Sequence, residues 1–216
     1  MLVRQLGRRS RAALRCGTAA GDYGPLMAHA GVLEAVIAVA EEVRALPYQW
    51  PSPPDAASAR AAGAGSYASK HALLAEELSA LGLVSTPLLV TGPLLPAAFR
   101  DEPEFVSARH LLEVHELIVA HTPWSGPVHV DITWDPPLVE HGLPGEKWLG
   151  THDTPIAVAV NGPGWSVPRD NLRPMKEALR ARLYAAGERP IRDHALAAMS
   201  ARFDAWRSEE ANAAAS

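Results

Sequence analysis

Apolar side chains recur at helical spacing in four stretches of the chain. The predicted helices cover residues 31–46, about 66–81, 174–186 and 193–207. Pro47 ends the first helix, and Gly82 supplies a C-terminal cap for the second. The stretch 50–64 is rich in Pro, Ala and Gly, so it is predicted to be a loop. In the last helix the apolar positions form one stripe, which is typical of a face packed against a core.

Short apolar runs bounded by turn residues predict four strands in the middle of the chain. These strands cover residues 87–91, 111–120, 127–134 and 155–160. The chain therefore places helices first, then strands, then helices again, and no internal repeat is present. This order is typical of an α+β fold with a mostly antiparallel sheet.

The two longest predicted strands are joined by a short loop that contains Gly126, and they form a hairpin. If the loop closes the hairpin, Ala120 pairs with Gly126 and His115 lies directly opposite Asp131, with Cβ atoms about 4.5–5.5 Å apart. A slip of one residue would place the two side chains on opposite faces. The hairpin thus predicts a histidine–carboxylate pair. Such a pair supports acid–base chemistry, because the carboxylate fixes the histidine tautomer and stabilises the imidazolium.

Composition narrows the class of protein. The chain has 216 residues, 48% of them hydrophobic, which suits one domain with a real core. A net charge of −4 and a pI near 6.1 argue against a nucleic-acid partner. No apolar run approaches the length of a membrane span, and a single cysteine, Cys16, excludes a disulfide framework. We therefore expect a cytoplasmic protein with neither a membrane nor a nucleic-acid partner.

The chain divides into an arm, a domain and a tail. Residues 1–20 carry five arginines and no acidic residue, and they are predicted to form a basic flexible arm. Residues 21–210 are predicted to form a single domain, with a helical extension from about Pro174. The small, polar residues 211–216 are predicted to be a disordered tail.

The start of the second predicted helix resembles a motif of a known protein family. Residues Gly65–Leu74 read GSYASKHALL and resemble the nucleophile helix of bacterial transglutaminase-like proteins, which opens with Gly-x-Cys-x-x-Lys-His-Ala-Leu-Leu. Residues 113–115 and 130–134 resemble the strands that supply the histidine and the aspartate of that family. The resemblance covers residues 65–135, a third of the chain. It implies a papain-like α+β fold, with the helix on an antiparallel sheet, and acyl transfer from amides or their hydrolysis.

The chain departs from this family at the nucleophile, because Tyr67 stands where the family has cysteine. With an ordinary pKa near 10, about one phenol in a thousand is ionised at pH 7, so nucleophilic chemistry of the cysteine type is not expected. Tyr67 is instead predicted to be a general acid, a donor to an oxyanion or a proton relay, with His115 as acid or base and Asp131 as its orienter. The alternative is a ring that plugs the pocket of an inactive protein.

Three functions remain open from the sequence. The first is cyclisation, isomerisation, elimination or hydrolysis of a small or carrier-bound acyl, amide or carbonyl substrate, catalysed by Tyr67, His115 and Asp131 without a thioester. The second is a catalytically inactive binding or scaffold protein. The third is a serine-dependent hydrolase with Ser66 or Ser69 as its nucleophile, although serine at a helix start is more often an N-cap. The candidate substrate-binding residues are Ser66, Ser69, Glu113, Trp134 and Trp148.

The histidines also raise the question of a metal. His115, His129 and Asp131 have the residue types of a three-ligand site, but no second signature accompanies them. We therefore assign no metal and no cofactor, and the sequence leaves the oligomeric state open.

Overall fold

The computed structural model describes residues 24–214 of the chain. The helices are α1 (Gly24–Arg44), α2 (Ala56–Ala62), α3 (Tyr67–Ala80), α4 (Pro136–Glu140), α5 (Leu172–Leu183) and α6 (Glu188–Ala214). The strands are β1 (Val84–Pro93), β2 (Leu112–Thr122), β3 (Gly126–Val130) and β4 (Trp165–Ser166). Short 3-10 turns cover 97–99, 103–108 and 169–171. The predicted arm at 1–20, including Cys16, lies outside the described residues.

The four strands form one antiparallel sheet in the order β3-β2-β1-β4. Helix α3 packs on β1 and β2, and α5 also packs on β2. Six consecutive residues of β2, 113–118, are buried, so this strand is covered on both faces. The α+β class predicted from the sequence is confirmed. The comparison with a papain-like fold remains an expectation.

The hairpin between β2 and β3 forms with a register two residues away from the predicted one. Thr122 rather than Ala120 lies opposite Gly126. Because side chains alternate faces with a period of two, a two-residue shift leaves each side chain on its predicted face. Asp131 lies just beyond the end of β3, and it reaches His115 diagonally instead of from the directly opposed position.

Helix α3 starts where the sequence predicts and is fixed at both ends. Its apolar residues Leu73, Leu74 and Leu78 are buried, so one face of the helix supplies core. Gly82, just past its last turn, has φ +79°, a left-handed conformation that glycine adopts without steric cost. Lys70, in the first turn, is fully buried. Its Nζ lies 2.9–3.0 Å from the carbonyl oxygens of Arg44, Leu46 and Thr133, which ties the helix start to two neighbouring loops.

Several elements differ from the prediction, among them the strand predicted at 127–134, which ends at Val130. The stretch 50–64 contains helix α2, with Asp55 as its N-cap and Gly63 in the left-handed C-terminal position. Residues 155–160 form a loop instead of the predicted strand, and the Ala157 N–H of this loop donates a hydrogen bond to Asp131. The fourth strand is β4 instead. Helix α1 begins seven residues before the predicted start, and α6 continues to Ala214, into the predicted tail.

The last helix closes the core over the site. Its predicted apolar stripe is confirmed, since Leu196, Met199 and Phe203 are buried and Trp206 packs against the same cluster. Phe203 contacts Trp134 in an edge-on arrangement with ring centroids 5.4 Å apart. Among the described helices, none is both long and apolar enough to cross a lipid bilayer. The division of the chain into arm, domain and tail remains an expectation.

Candidate active site

The start of α3 places Tyr67 against β2, where it contacts Glu113 and His115. The N–H of Ser66 donates to Ser69 Oγ at 3.1 Å, so the two serines close the first turn of the helix. Gly65 precedes them, and a Cβ at this position would lie 2.7 Å from Ser69 Oγ, which explains the glycine. The Gly65 backbone also bonds to Pro47 and Gln49, which fixes the helix start laterally.

His115 and Asp131 form a tight buried pair. His115 Nε2 lies 2.7 Å from Asp131 Oδ2, and both side chains are at most 2% exposed. Burial alone raises the pKa of Asp131. The charge and hydrogen bond of His115, together with the Ala157 N–H, outweigh burial and hold this pKa well below its usual range. An ionised carboxylate only accepts hydrogen bonds, so Nε2 carries a proton and donates it to Asp131.

Nδ1, the second ring nitrogen of His115, is the one available for proton transfer. Within the described part of the chain, Nδ1 makes no hydrogen bond and is not sealed from solvent. Since Nε2 is protonated, the neutral ring has a lone pair on Nδ1. The predicted histidine–carboxylate pair is therefore present, and its geometry is that of an oriented base.

A second histidine contacts the other oxygen of Asp131. His71 Nε2 lies 3.5 Å from Asp131 Oδ1 and accepts the N–H of Ile132 at 3.0 Å. This acceptance requires an unprotonated Nε2, so His71 is neutral. Burial lowers the pKa of His71 to about 4, although the charge of Asp131 acts in the opposite direction. His71 thus orients the loop after β3 without competing for the proton of His115.

Tyr67 lies beside His115, but its hydroxyl is engaged elsewhere. The two ring centroids are 4.8 Å apart. The phenol donates to Glu113 Oε1 at 3.1 Å and accepts from Arg180 Nη2 at 3.0 Å. Burial, and then the negative charge of Glu113, raise the pKa of Tyr67 above its ordinary value. The phenol is therefore neutral, and its proton is already shared with a carboxylate.

Glu113 is the centre of a buried ionic cluster. Oε1 accepts from Arg180 Nη2 at 2.8 Å, and Oε2 accepts from Arg192 Nε and from the Tyr184 hydroxyl. Burial raises the pKa of Glu113, but Arg192 and Arg180 dominate and lower it to about 2. The two arginines, one from α5 and one from α6, thus keep Glu113 ionised. Glu113 in turn fixes the position of the Tyr67 hydroxyl.

Sequence reasoning missed these arginines. Arg180 and Arg192 lie 67 and 79 residues beyond Glu113, and nothing in their own segments marks them as site residues. The available signal was Glu113 itself, a carboxylate in an otherwise apolar strand, which requires a buried cation. Glu116 carries the same signal and pairs with Lys176 at 3.0 Å, and the Lys176 ammonium lies 4.4 Å from the centre of the Tyr67 ring.

A cavity of about 310 Å³ opens onto this arrangement. Tyr67, Glu113 and His115 form part of its wall, as does Trp134. Most other lining side chains are apolar: Pro93, Leu94, Leu95, Leu143, Ile156, Val158, Leu196 and Met199. The volume is at the small end of the range of ligand pockets, and it holds about ten groups of the size of water, each near 30 Å³. The ring of Tyr67 is thus one wall of the cavity and leaves His115 accessible beside it.

Three of the candidate substrate-binding residues lie away from this cavity. Ser66 and Ser69 are buried in the first turn of α3, bond to each other and to Ser52, and make no bond to His115. Trp148 is fully buried in a separate part of the core, and its indole N–H donates to the His152 carbonyl. These three residues do not line this cavity, and each has a packing or capping contact in the described structure.

Residues 24–214 contain no group of three or more His, Cys, Asp or Glu side chains placed to hold a metal ion. His129, which the sequence groups with His115 and Asp131, pairs with Asp153 at 3.2 Å.

Comparisons of the chain with protein-family models, curated proteins and solved structures found no match. The resemblance to transglutaminase-like proteins therefore rests on the motif residues of the chain and on the site that they form.

Proposed function

We propose that this protein is a transglutaminase-like enzyme without a thiol nucleophile, which catalyses acid–base chemistry on a small, largely apolar acyl, amide or carbonyl compound. The observation that supports this proposal is the buried His115–Asp131 pair. His115 Nε2 lies 2.7 Å from Asp131 Oδ2, and His115 forms part of the cavity wall. The reaction class includes cyclisation, isomerisation, elimination and hydrolysis. None of these requires a covalent thioester.

His115 is the group that moves the proton. Its Nδ1 removes a proton from the bound compound or from a water molecule, and the resulting imidazolium is stabilised by Asp131. Asp131 accepts hydrogen bonds from Thr133 and Ala157 as well as from His115, so its position is fixed before a substrate binds. The imidazolium then returns the proton to the product or the leaving group.

Tyr67 contributes its ring rather than its proton. The phenol proton is shared with Glu113, so transfer to a substrate would require a buried hydrogen bond to break. The ring forms the wall next to His115 and keeps the imidazole from turning into the space that a cysteine would leave. We therefore assign Tyr67 a positioning role, with His115 as the catalytic residue.

The test uses two assays, one for hydrolysis and one for the proton abstraction with which isomerisation or elimination begins. One measures hydrolysis of p-nitrophenyl esters and anilides with acyl chains of two to ten carbons. The other follows, by NMR in D₂O, proton exchange at the carbon next to the carbonyl in the matching ketones. His115→Ala is expected to lower turnover by about 10²–10⁴-fold. His121→Ala is the matched control, because His121 lies exposed on the same strand. Turnover that survives His115→Ala would contradict the proposal.

A specific observation also favours the second candidate, a protein that binds a ligand without transforming it. The position of the family nucleophile is occupied by a phenol that is locked between Glu113 and Arg180. For such a protein, both assays would give no turnover, while small apolar compounds would shift the NMR signals of cavity residues such as Met199. Binding without turnover would therefore replace the enzyme proposal with this one.

A further inference from the structure

One charged residue of the cavity wall lacks the partner of opposite charge that the others have. The wall contains three residues that can carry charge, Arg100, Glu113 and His115. Glu113 is neutralised by Arg180 and Arg192, and His115 is paired with Asp131. Among the described residues Arg100 has no carboxylate partner within 4.0 Å, and the neighbouring Glu102 lies 3.8 Å from Arg202.

Burial places Arg100 at the mouth of the cavity. Arg100 is exposed, whereas His115 and Glu113 are at most 3% exposed. Its Nε lies 3.4 Å from the carbonyl oxygen of Leu95, another residue of the wall, so the guanidinium lies against the cavity. Arginine binds carboxylates well because its planar fork presents two parallel N–H donors.

We propose that the ligand of this cavity is a small apolar carboxylate whose charged group pairs with Arg100 at the mouth. The apolar body fills the cavity, and the reacting carbon lies near His115. A cavity of about 310 Å³ has room for roughly ten non-hydrogen atoms at about 30 Å³ each, the size of an eight-carbon carboxylate. This inference rests on the proposed function, because it names the substrate class of the same site.

Octanoate and 1-octanol are the probes, because they share the apolar chain and differ in charge. Binding is measured by calorimetry at low and at high salt. The wild-type protein is expected to bind octanoate about tenfold more tightly than octanol, and added salt is expected to reduce this preference. Arg100→Met is expected to abolish the preference while octanol binding is retained. Arg109→Met is the control, because this arginine is exposed and lines no part of the cavity.

Equal affinity for the two probes in the wild-type protein would overturn the inference, as would a preference that survives Arg100→Met. His115→Ala separates this inference from the proposed function. This variant is expected to keep the octanoate preference while turnover is lost. In the wild-type protein, a carboxylate preference without turnover would contradict the enzyme proposal alone, and turnover without any carboxylate preference would contradict this inference alone.

Discussion

The phenol of Tyr67 donates its hydrogen bond to Glu113 at 3.1 Å, although the imidazole of His115 lies beside the ring with centroids 4.8 Å apart. Tyr67 is thus linked to the C-terminal helices through Glu113 and Arg180, while His115 is linked through Asp131 to the end of β3. Tyr67 therefore lies between a buried ionic cluster around Glu113 and the His115–Asp131 pair to which we assign the proposed chemistry.

Tyr67→Phe tests this division. The change removes one hydroxyl but leaves Glu113 and Arg180 paired at 2.8 Å, so we expect a loss of about 1–2 kcal/mol in the free energy of unfolding, measured with urea. Because the phenol proton is not used in the proposed reaction, turnover is expected to fall less than tenfold. A loss as large as that of His115→Ala would show that the hydroxyl serves the substrate directly.

Glu113→Gln is expected to destabilise the protein strongly. The change leaves Arg180 and Arg192 with little compensation for their buried charge, and breaking such a pair costs about 3–5 kcal/mol. Glu177→Gln is the control, since Glu177 also pairs with Arg180 but is half exposed, and a pair of this kind contributes about 0–1 kcal/mol. Equal losses in urea unfolding for the two variants would contradict the central role of Glu113.

The sequence predicts the parts of the site that depend on local patterns. Helix α3 follows from its apolar spacing, and the His115–Asp131 pair follows from strand alternation. The pair survives the register error because a shift of two residues keeps each side chain on its face. The cavity itself is not predictable in this way, since its wall combines residues from β1, β2, α6 and several loops.

The errors also have physical causes. Residues 155–160 are apolar enough for a strand, but their backbone is used to hold Asp131 through the Ala157 N–H. The prolines at the start of the stretch 50–64 favour a loop and obscure helix α2, although Asp55 and Gly63 carry its start and stop signals. The arginines that bind Glu113 are distant in sequence, and only the tertiary fold brings them together.

The stability of the protein is expected to fall below pH 6.5 because of His71. Its pKa is about 4 in the folded protein and 6.5 in the unfolded chain, so the unfolded chain binds the proton first as the pH falls. Between pH 7 and pH 5 this coupling lowers the free energy of unfolding by about 2 kcal/mol, at about 1.4 kcal/mol per pKa unit. Urea unfolding at several pH values measures the loss.

His71→Gln is expected to remove most of this pH dependence, because glutamine does not titrate and its carbonyl can accept the Ile132 N–H. The exposed His121→Gln variant is the control and is expected to retain the full dependence. The depressed pKa of Glu113, about 2 against 4.5, adds a further loss only below about pH 5, so the two effects separate in pH. If the free energy of unfolding of His71→Gln depends on pH as in the wild-type protein, the assignment of this dependence to His71 is contradicted.

Tyr67→Cys tests the resemblance to transglutaminase-like proteins, in a Cys16→Ser background that leaves one thiol. If α3 is a nucleophile helix, the introduced thiol lies at a helix N-terminus beside His115, and both features lower a thiol pKa below its usual 8.5. The rate of alkylation by iodoacetamide rises with pH as the thiol ionises, and it is then expected to reach its plateau below pH 7. The same thiol with His115→Ala is expected to titrate at least one pH unit higher. A thiol that titrates near 8.5 in both proteins would remove the resemblance as a guide to this site, because the helix and the histidine would then exert no effect on a residue at position 67.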